Sequence, residues 1–157
     1  MFKCINHVGI SVEDLDRSIN FYCSAFGLEV VSRSEFSDEM YDKYGEKYDA
    51  KYRMLLGLNS AAGKVATLRS SGLKLELFEF KDPKPKAADP HHQVSDHGIS
   101  HFCFEVTDLR GEYLRLKSAG VIFHCAPQAF FGGSVIATYG RDPDGNVFEL
   151  LEFVADP

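Results

Sequence analysis

The sequence has little that would place it in a specialised class. Lysine and arginine number 17 against 23 aspartates and glutamates, a formal net charge of -6, so there is no basic footprint for nucleic acid. No apolar run approaches the ~18 residues of a membrane span. The opening MFKCINHVGI turns polar too early for a secretory signal. A cytoplasmic protein without nucleic-acid or membrane partners is expected. Cys4, Cys23, Cys103 and Cys125 form no C-x-x-C pair and have apolar neighbours. Buried free thiols are therefore expected in preference to disulfides or a zinc knuckle. At 157 residues and 45% hydrophobic content, the chain can bury a core without staples, and no metal is needed merely to fold it.

What is present is a repeat. INHVGISVEDL at 5–15 matches ISHFCFEVTDL at 99–109, both reading I-x-H-x-x-[IF]-x-V-x-D-L. His7 and His101 occupy the same place in the two copies, 94 positions apart. With a period of two, Val8, Ile10 and Val12 form one face and Ile5, His7, Gly9 and Ser11 the other; Phe102, Phe104 and Val106 oppose Ile99, His101, Cys103 and Glu105 in the same way. Downstream, ELFEF at 76–80 matches ELLEF at 149–153, pairing Glu76 with Glu149, 73 positions apart. The smaller offset gives the first half extra residues.

Asp14 and Asp108 are suited to cap helices over about 15–26 and 109–119, and Gly27 and Gly120 to end them. Extended stretches are expected at about 52–58, 64–70 and 73–80, then at about 121–126, 134–141 and 146–153, with DPDG at 142–145 as a turn. The predicted fold class is α+β, with two tandem β-α-β-β-β modules. They cover 3–80, with an insertion at about 32–51, and 98–154, joined by a polar, Pro-rich linker at 81–97 whose His91, His92 and His97 read as solvated bystanders. Tyr41, Tyr44, Tyr48 and Tyr52 in and beside the insertion step by three and four. They would line one side of a helix, either packed on the sheet or forming an aromatic lid.

A lone histidine on a half-buried strand is ordinarily a core or surface residue, but two histidines and two glutamates repeated at equivalent places are a different matter. Glu76 lies between Leu75 and Leu77, and Glu149 between Phe148 and Leu150, on strands built for burial, where an unpaired carboxylate is costly. No lysine or arginine holds an equivalent place in both copies. A divalent cation would satisfy both carboxylates and give the imidazoles a reason to face it. Glu79 and Glu152 have the opposite parity, and Glu105 is matched by Ser11, so these stay outside the candidate set.

With HVGISVEDLDRSINFYCSAFGLEV, GISHFCFEV and DPDGNVFELLE, the chain resembles, over essentially its whole length, the vicinal oxygen chelate superfamily of glyoxalases, bleomycin-resistance proteins and dioxygenases. The resemblance implies two curled mixed sheets forming a metal-centred cleft. It also implies His7, Glu76, His101 and Glu149 as ligands of one divalent ion, Zn, Ni, Co, Mn or Fe, with positions open for water or substrate. The expected activity is that of a metal-dependent isomerase, epimerase or lyase that chelates vicinal oxygens of a small molecule and removes an adjacent proton, with Glu149 as base and Glu76 as its partner. A homodimer is expected. The alternatives are an Fe(II) extradiol-type dioxygenase and a metal-free protein that sequesters an antibiotic. Within the resemblance, Ser11 stands where glyoxalase I has a glutathione-binding arginine and Phe80 where it has an asparagine. Fosfomycin-modifying members use three ligands, for which Glu76 would be surplus, and methylmalonyl-CoA epimerase usually has Gln in place of Glu76.

Overall fold

The computed structural model describes all residues except 2, 38–52, 88 and 155–157. The four tyrosines of the 41–52 segment lie outside the described residues. The chain divides into two compact units, Met1–Ala87 and Ala88–Pro157.

The first unit contains β1 (Val8–Ser11), α1 (Leu15–Phe26), β2 (Glu29–Phe36), β3 (Ala62–Ser70) and β4 (Leu73–Asp82). Its sheet runs β1-β4-β3-β2. β1 is parallel to β4, as a β-α-β crossover requires, and the remaining pairs are antiparallel. The Asp14 side chain accepts from Arg17 N at 2.9 Å to cap α1, and Gly27 ends it in the left-handed region at φ 66, where a Cβ would be strained. Leu15, Ser18, Tyr22 and Ala25 recur every three or four residues and form the buried stripe of the helix. The helix packs on β3 and β4, which offer the fully buried Ala66, Leu68, Leu75 and Leu77. Each buried leucine contributes about 1.5–3 kcal/mol.

The second unit repeats the plan with β5 (Phe102–Glu105), α2 (Leu109–Ser118), β6 (Ile122–Phe123), β7 (Gln128–Phe130), β8 (Val135–Arg141) and β9 (Val147–Phe153). Its order is β5-β9-β8-β6, with β7 also pairing β8. Asp108 caps α2 by accepting from Gly111 N. Leu109, Tyr113 and Leu116 form the buried stripe, and Tyr113 meets Phe123, which in turn meets Phe148 edge-on. The DPDG turn is tied down by Asp142, whose Oδ1 accepts from Asp144 N and Asn146 N and whose Oδ2 accepts from the Asn146 amide.

Both units are thus α+β modules with mixed sheets. Three expected secondary-structure boundaries require correction. β2 occupies 29–36, so residues 32–36 of the stretch read as an insertion belong to the sheet. Residues 53–56 are helical, not the start of a strand. Met54 and Leu55, inside the stretch expected to be extended, are exposed. The expected strand at 121–126 shortens to Ile122–Phe123, and β7 adds a short paired stretch within what read as a loop. The cysteines are free, as expected, but Cys4, Cys103 and Cys125 are exposed and Cys23 is intermediate. Cys103 sits on the outward parity of β5, opposite Glu149, which explains why apolar sequence neighbours did not bury it. Among the described residues, no helix is long and apolar enough to cross a membrane.

Candidate metal centre

Each unit brings its own histidine and glutamate together. In the first, β1 and β4 run parallel with Gly9 opposite Glu76, and His7, two residues before Gly9, reaches the carboxylate with Nε2 3.4 Å from Oε2. In the second, Cys103 lies opposite Glu149, and His101 Nε2 is 3.2 Å from Glu149 Oε2. The register of the parallel pair therefore converts the repeat in the sequence into a repeat in space. Among the described residues no group of three or more His, Cys, Asp or Glu side chains could hold an ion; each unit supplies two donors.

The carboxylates are less enclosed than their strands suggested. The Glu76 side chain is 25% exposed and that of Glu149 14%. This is because 76 and 149 belong to the face turned away from the helices, whereas 75, 77, 148 and 150 carry the buried residues.

A second repeated contact orients the imidazoles. His7 Nδ1 lies 3.1 Å from Asn6 Oδ1, and His101 Nδ1 lies 2.9 Å from Ser100 Oγ. Since Asn6 Oδ1 can only accept, His7 Nδ1 carries hydrogen. A neutral His7 then turns the Nε2 lone pair towards a carboxylate oxygen, and two facing lone pairs require a proton or a cation between them. Two ligands about 2.1 Å from one ion and at right angles to each other stand about 3 Å apart. The pairs are close to that separation, and an N–H bond on the far ring nitrogen is the usual support for a metal-bound imidazole. Within each unit, the two donors stand at a separation that suits a divalent ion.

Asn6 and Ser100 were not singled out in the sequence, although a signal existed: each precedes its histidine and each carries a side-chain oxygen. The surroundings of the two pairs differ further. Tyr139 of β8 is register-paired with Glu149; its ring meets His101 edge-on at 4.9 Å and stacks with His124 at 6.3 Å. Burial, then the charges of Glu149 and Cys103 and a hydrogen bond to Glu149, raise the Tyr139 hydroxyl above its ordinary range. Cys103 is exposed as a residue, yet crowding of its sulfur, followed by the Glu149 charge, pushes the thiol up to about 12. His124 is shifted down by burial and by Arg141. In the first unit, Gly9 and Thr67 hold the places of Cys103 and Tyr139.

Glu79 and Glu152, excluded by parity, have a structural task. Glu79 Oε2 accepts from Leu15 N at 2.8 Å and Glu152 Oε2 from Leu109 N at 3.0 Å. Each meets the first backbone N–H of its helix, at the positive end of the helix dipole.

A family model described as the Glyoxalase/Bleomycin resistance protein/Dioxygenase superfamily matches residues 4–150. The chain belongs to this superfamily. Among its relatives, glyoxalase I of Saccharomyces cerevisiae is 27% identical over 157 residues, covering 95% of this chain and 44% of the yeast protein. The chain thus spans less than half the length of that relative. A 2-epi-5-epi-valiolone epimerase from Actinomyces sp. is 28% identical over 157 residues, covering 96% of this chain and 80% of the relative. The solved structure of a glyoxalase family protein from Bacillus cereus superposes with a TM-score of 0.80 at 23% identity, covering 98% of this chain and 97% of that one, a likeness of fold. Names among the superfamily relatives include an epimerase and, in Pseudomonas aeruginosa, a lactoylglutathione lyase.

Proposed function

We propose that the chain is a metal-dependent lyase, isomerase or epimerase acting on a small molecule with vicinal oxygens, and that His7, Glu76, His101 and Glu149 hold one divalent ion per chain. The supporting observation is the repeated pairing of an imidazole Nε2 with a carboxylate oxygen at 3.4 and 3.2 Å. When bound, the ion supplies Lewis acidity to two substrate oxygens and makes the adjacent carbon more acidic. His7 and His101 keep their Nε2 atoms turned to the ion through the contacts at Nδ1. Glu149 takes the substrate proton on a carboxylate oxygen, and Glu76 is its counterpart in the other module. Names among the relatives cover both lyase and epimerase reactions. With Ser11 and Phe80 where glyoxalase I has its glutathione anchors, a glutathione adduct is not assigned as the substrate. The four free cysteines fit a reducing, cytoplasmic setting. A homodimer completes the proposal, with sedimentation at micromolar concentration as its check; a monomer only would remove it.

The experiment is metal analysis of protein purified without an affinity tag, beside the His7→Ala, His101→Ala double variant. About one ion per chain is expected in the parent and none in the variant, with the far-ultraviolet circular dichroism of both unchanged. Full occupancy in the folded double variant would falsify the ligand assignment.

A further inference from the structure

The face of the first unit that carries Glu76 also carries an aromatic wall. Along β4, residues 76, 78 and 80 alternate with Leu75, Leu77 and Glu79, which are turned to α1. Phe78 and Phe80 stack with ring centroids 5.7 Å apart and planes 15° apart. Phe36 of β2 meets them edge-on at 6.4 and 5.6 Å. Phe36 is 2% exposed and anchors the group, whereas Phe78 and Phe80 remain half-buried. The neighbouring strand does not cover Phe78. β1 places Ser11 opposite it and Gly9 beside it, where even an added Cβ would stand 3.9 Å from the ring. A ring with its inner side packed and its β1 side flanked by small residues, one β-step from a candidate ligand, is suited to stack against a flat group. At the place of Phe78 the second unit has Leu151, opposite Ala137, while Phe153 repeats Phe80, so the stacked pair of rings belongs to one module.

We infer that this wall receives an aryl or comparably flat unsaturated group of the substrate, so that the enzyme acts on α-oxygenated aryl compounds. The inference rests on the ligand assignment above for the substrate's oxygens and on the phenylalanines for its ring. Calorimetric titrations of the full, metal-loaded chain with mandelate and lactate, which share a hydroxy-acid end and differ in phenyl against methyl, test it. Mandelate is expected to bind the parent at least about tenfold more tightly than lactate, as a stacking contact predicts. Phe78→Leu, which keeps most of the volume and copies the second unit, is expected to bring the two within about twofold while leaving lactate affinity and metal content unchanged. Phe78→Ala is the harsher companion. Equal affinities in the metal-loaded parent, or a preference that survives in folded Phe78→Leu, overturn the wall and leave the metal reading standing. A Phe78-dependent mandelate preference in protein that holds no metal does the reverse. Absence of both overturns both.

Discussion

The two modules are alike where they are built and different where they would work. Each has a capped helix, a parallel strand pair with the Glu on one strand and the His just ahead of the other, an oxygen-bearing residue behind the imidazole, and a carboxylate on the first N–H of the helix. Around Glu149 the second module gathers Tyr139 and Cys103, with His124 stacked on Tyr139. Around Glu76 the first has Gly9, Thr67 and, one step on, the phenylalanine wall. Duplication therefore supplied the donors twice, and divergence of their neighbours gave one carboxylate a polar, crowded setting and the other an apolar, open one.

The largest expected effect tests whether that difference divides the labour. Removal of a general base typically costs ~10² to 10⁴ in rate. With a turned-over substrate in heavy water, Glu149→Gln is expected to retain metal and to lose proton exchange at the carbon beside the chelated oxygens by about that factor. Glu76→Gln should lose much less. Equal losses would erase the distinction, a larger loss in Glu76→Gln would invert it, and oxygen uptake without exchange in the parent would favour a dioxygenase.

A smaller effect concerns the crowded side. A thiol with a pKa of about 12 is almost wholly protonated at pH 8, and the thiolate is the reactive form. In metal-stripped protein, iodoacetamide should modify the exposed Cys4 and Cys125 at least about tenfold faster than Cys103. Because the negative charge of Glu149 opposes Cys103 ionisation, Glu149→Gln should accelerate its modification, most visibly as the pH is raised. A Cys103 rate matching that of Cys4 would show that the two faces do not differ in this respect.

The shared framework should respond almost equally in both modules. Glu79→Ala and Glu152→Ala each strand the N–H of a leucine that is fully buried, a loss of about 1–3 kcal/mol. Glu79 also meets Lys64 at 3.0 Å, a half-exposed contact that adds at most about 1 kcal/mol. Urea unfolding should therefore place Glu79→Ala level with Glu152→Ala or slightly below it in stability. Smallest is the loss of an N-cap: Asp14→Ala and Asp108→Ala should each cost about 1 kcal/mol. A difference of several kcal/mol between matched variants would show that the modules do not share one scaffold.

Much of this scaffold was legible because duplication printed it twice. The two histidines, the two glutamates, both aspartate caps and the βα framework could each be checked against a second copy. What escaped had no burial pattern to announce it. β2 is an edge strand whose residues are exposed except Phe36 at its end, so it lacks the alternation that marks a half-buried strand. Met54 and Leu55 misled in the opposite direction, since exposed apolar residues carry no information about secondary structure. Phe36 was invisible as a neighbour of the ligand strand because only cross-strand register brings it near, whereas Phe78 shares the strand and parity of Glu76.

The carboxylate at each helix start also guards the strand on which it sits. Glu76 and Glu79, like Glu149 and Glu152, are three residues apart on one strand and therefore face opposite sides. A slip of β4 or β9 by one residue would exchange the two faces. It would carry the ligand carboxylate under the helix and pull the clamping one away from the N–H of Leu15 or Leu109. The misaligned sheet would hold an unmatched charge in its core and leave an unmet donor at the helix, so both errors would penalise the same mistake. Each module in this way proofreads the alignment of its own ligand.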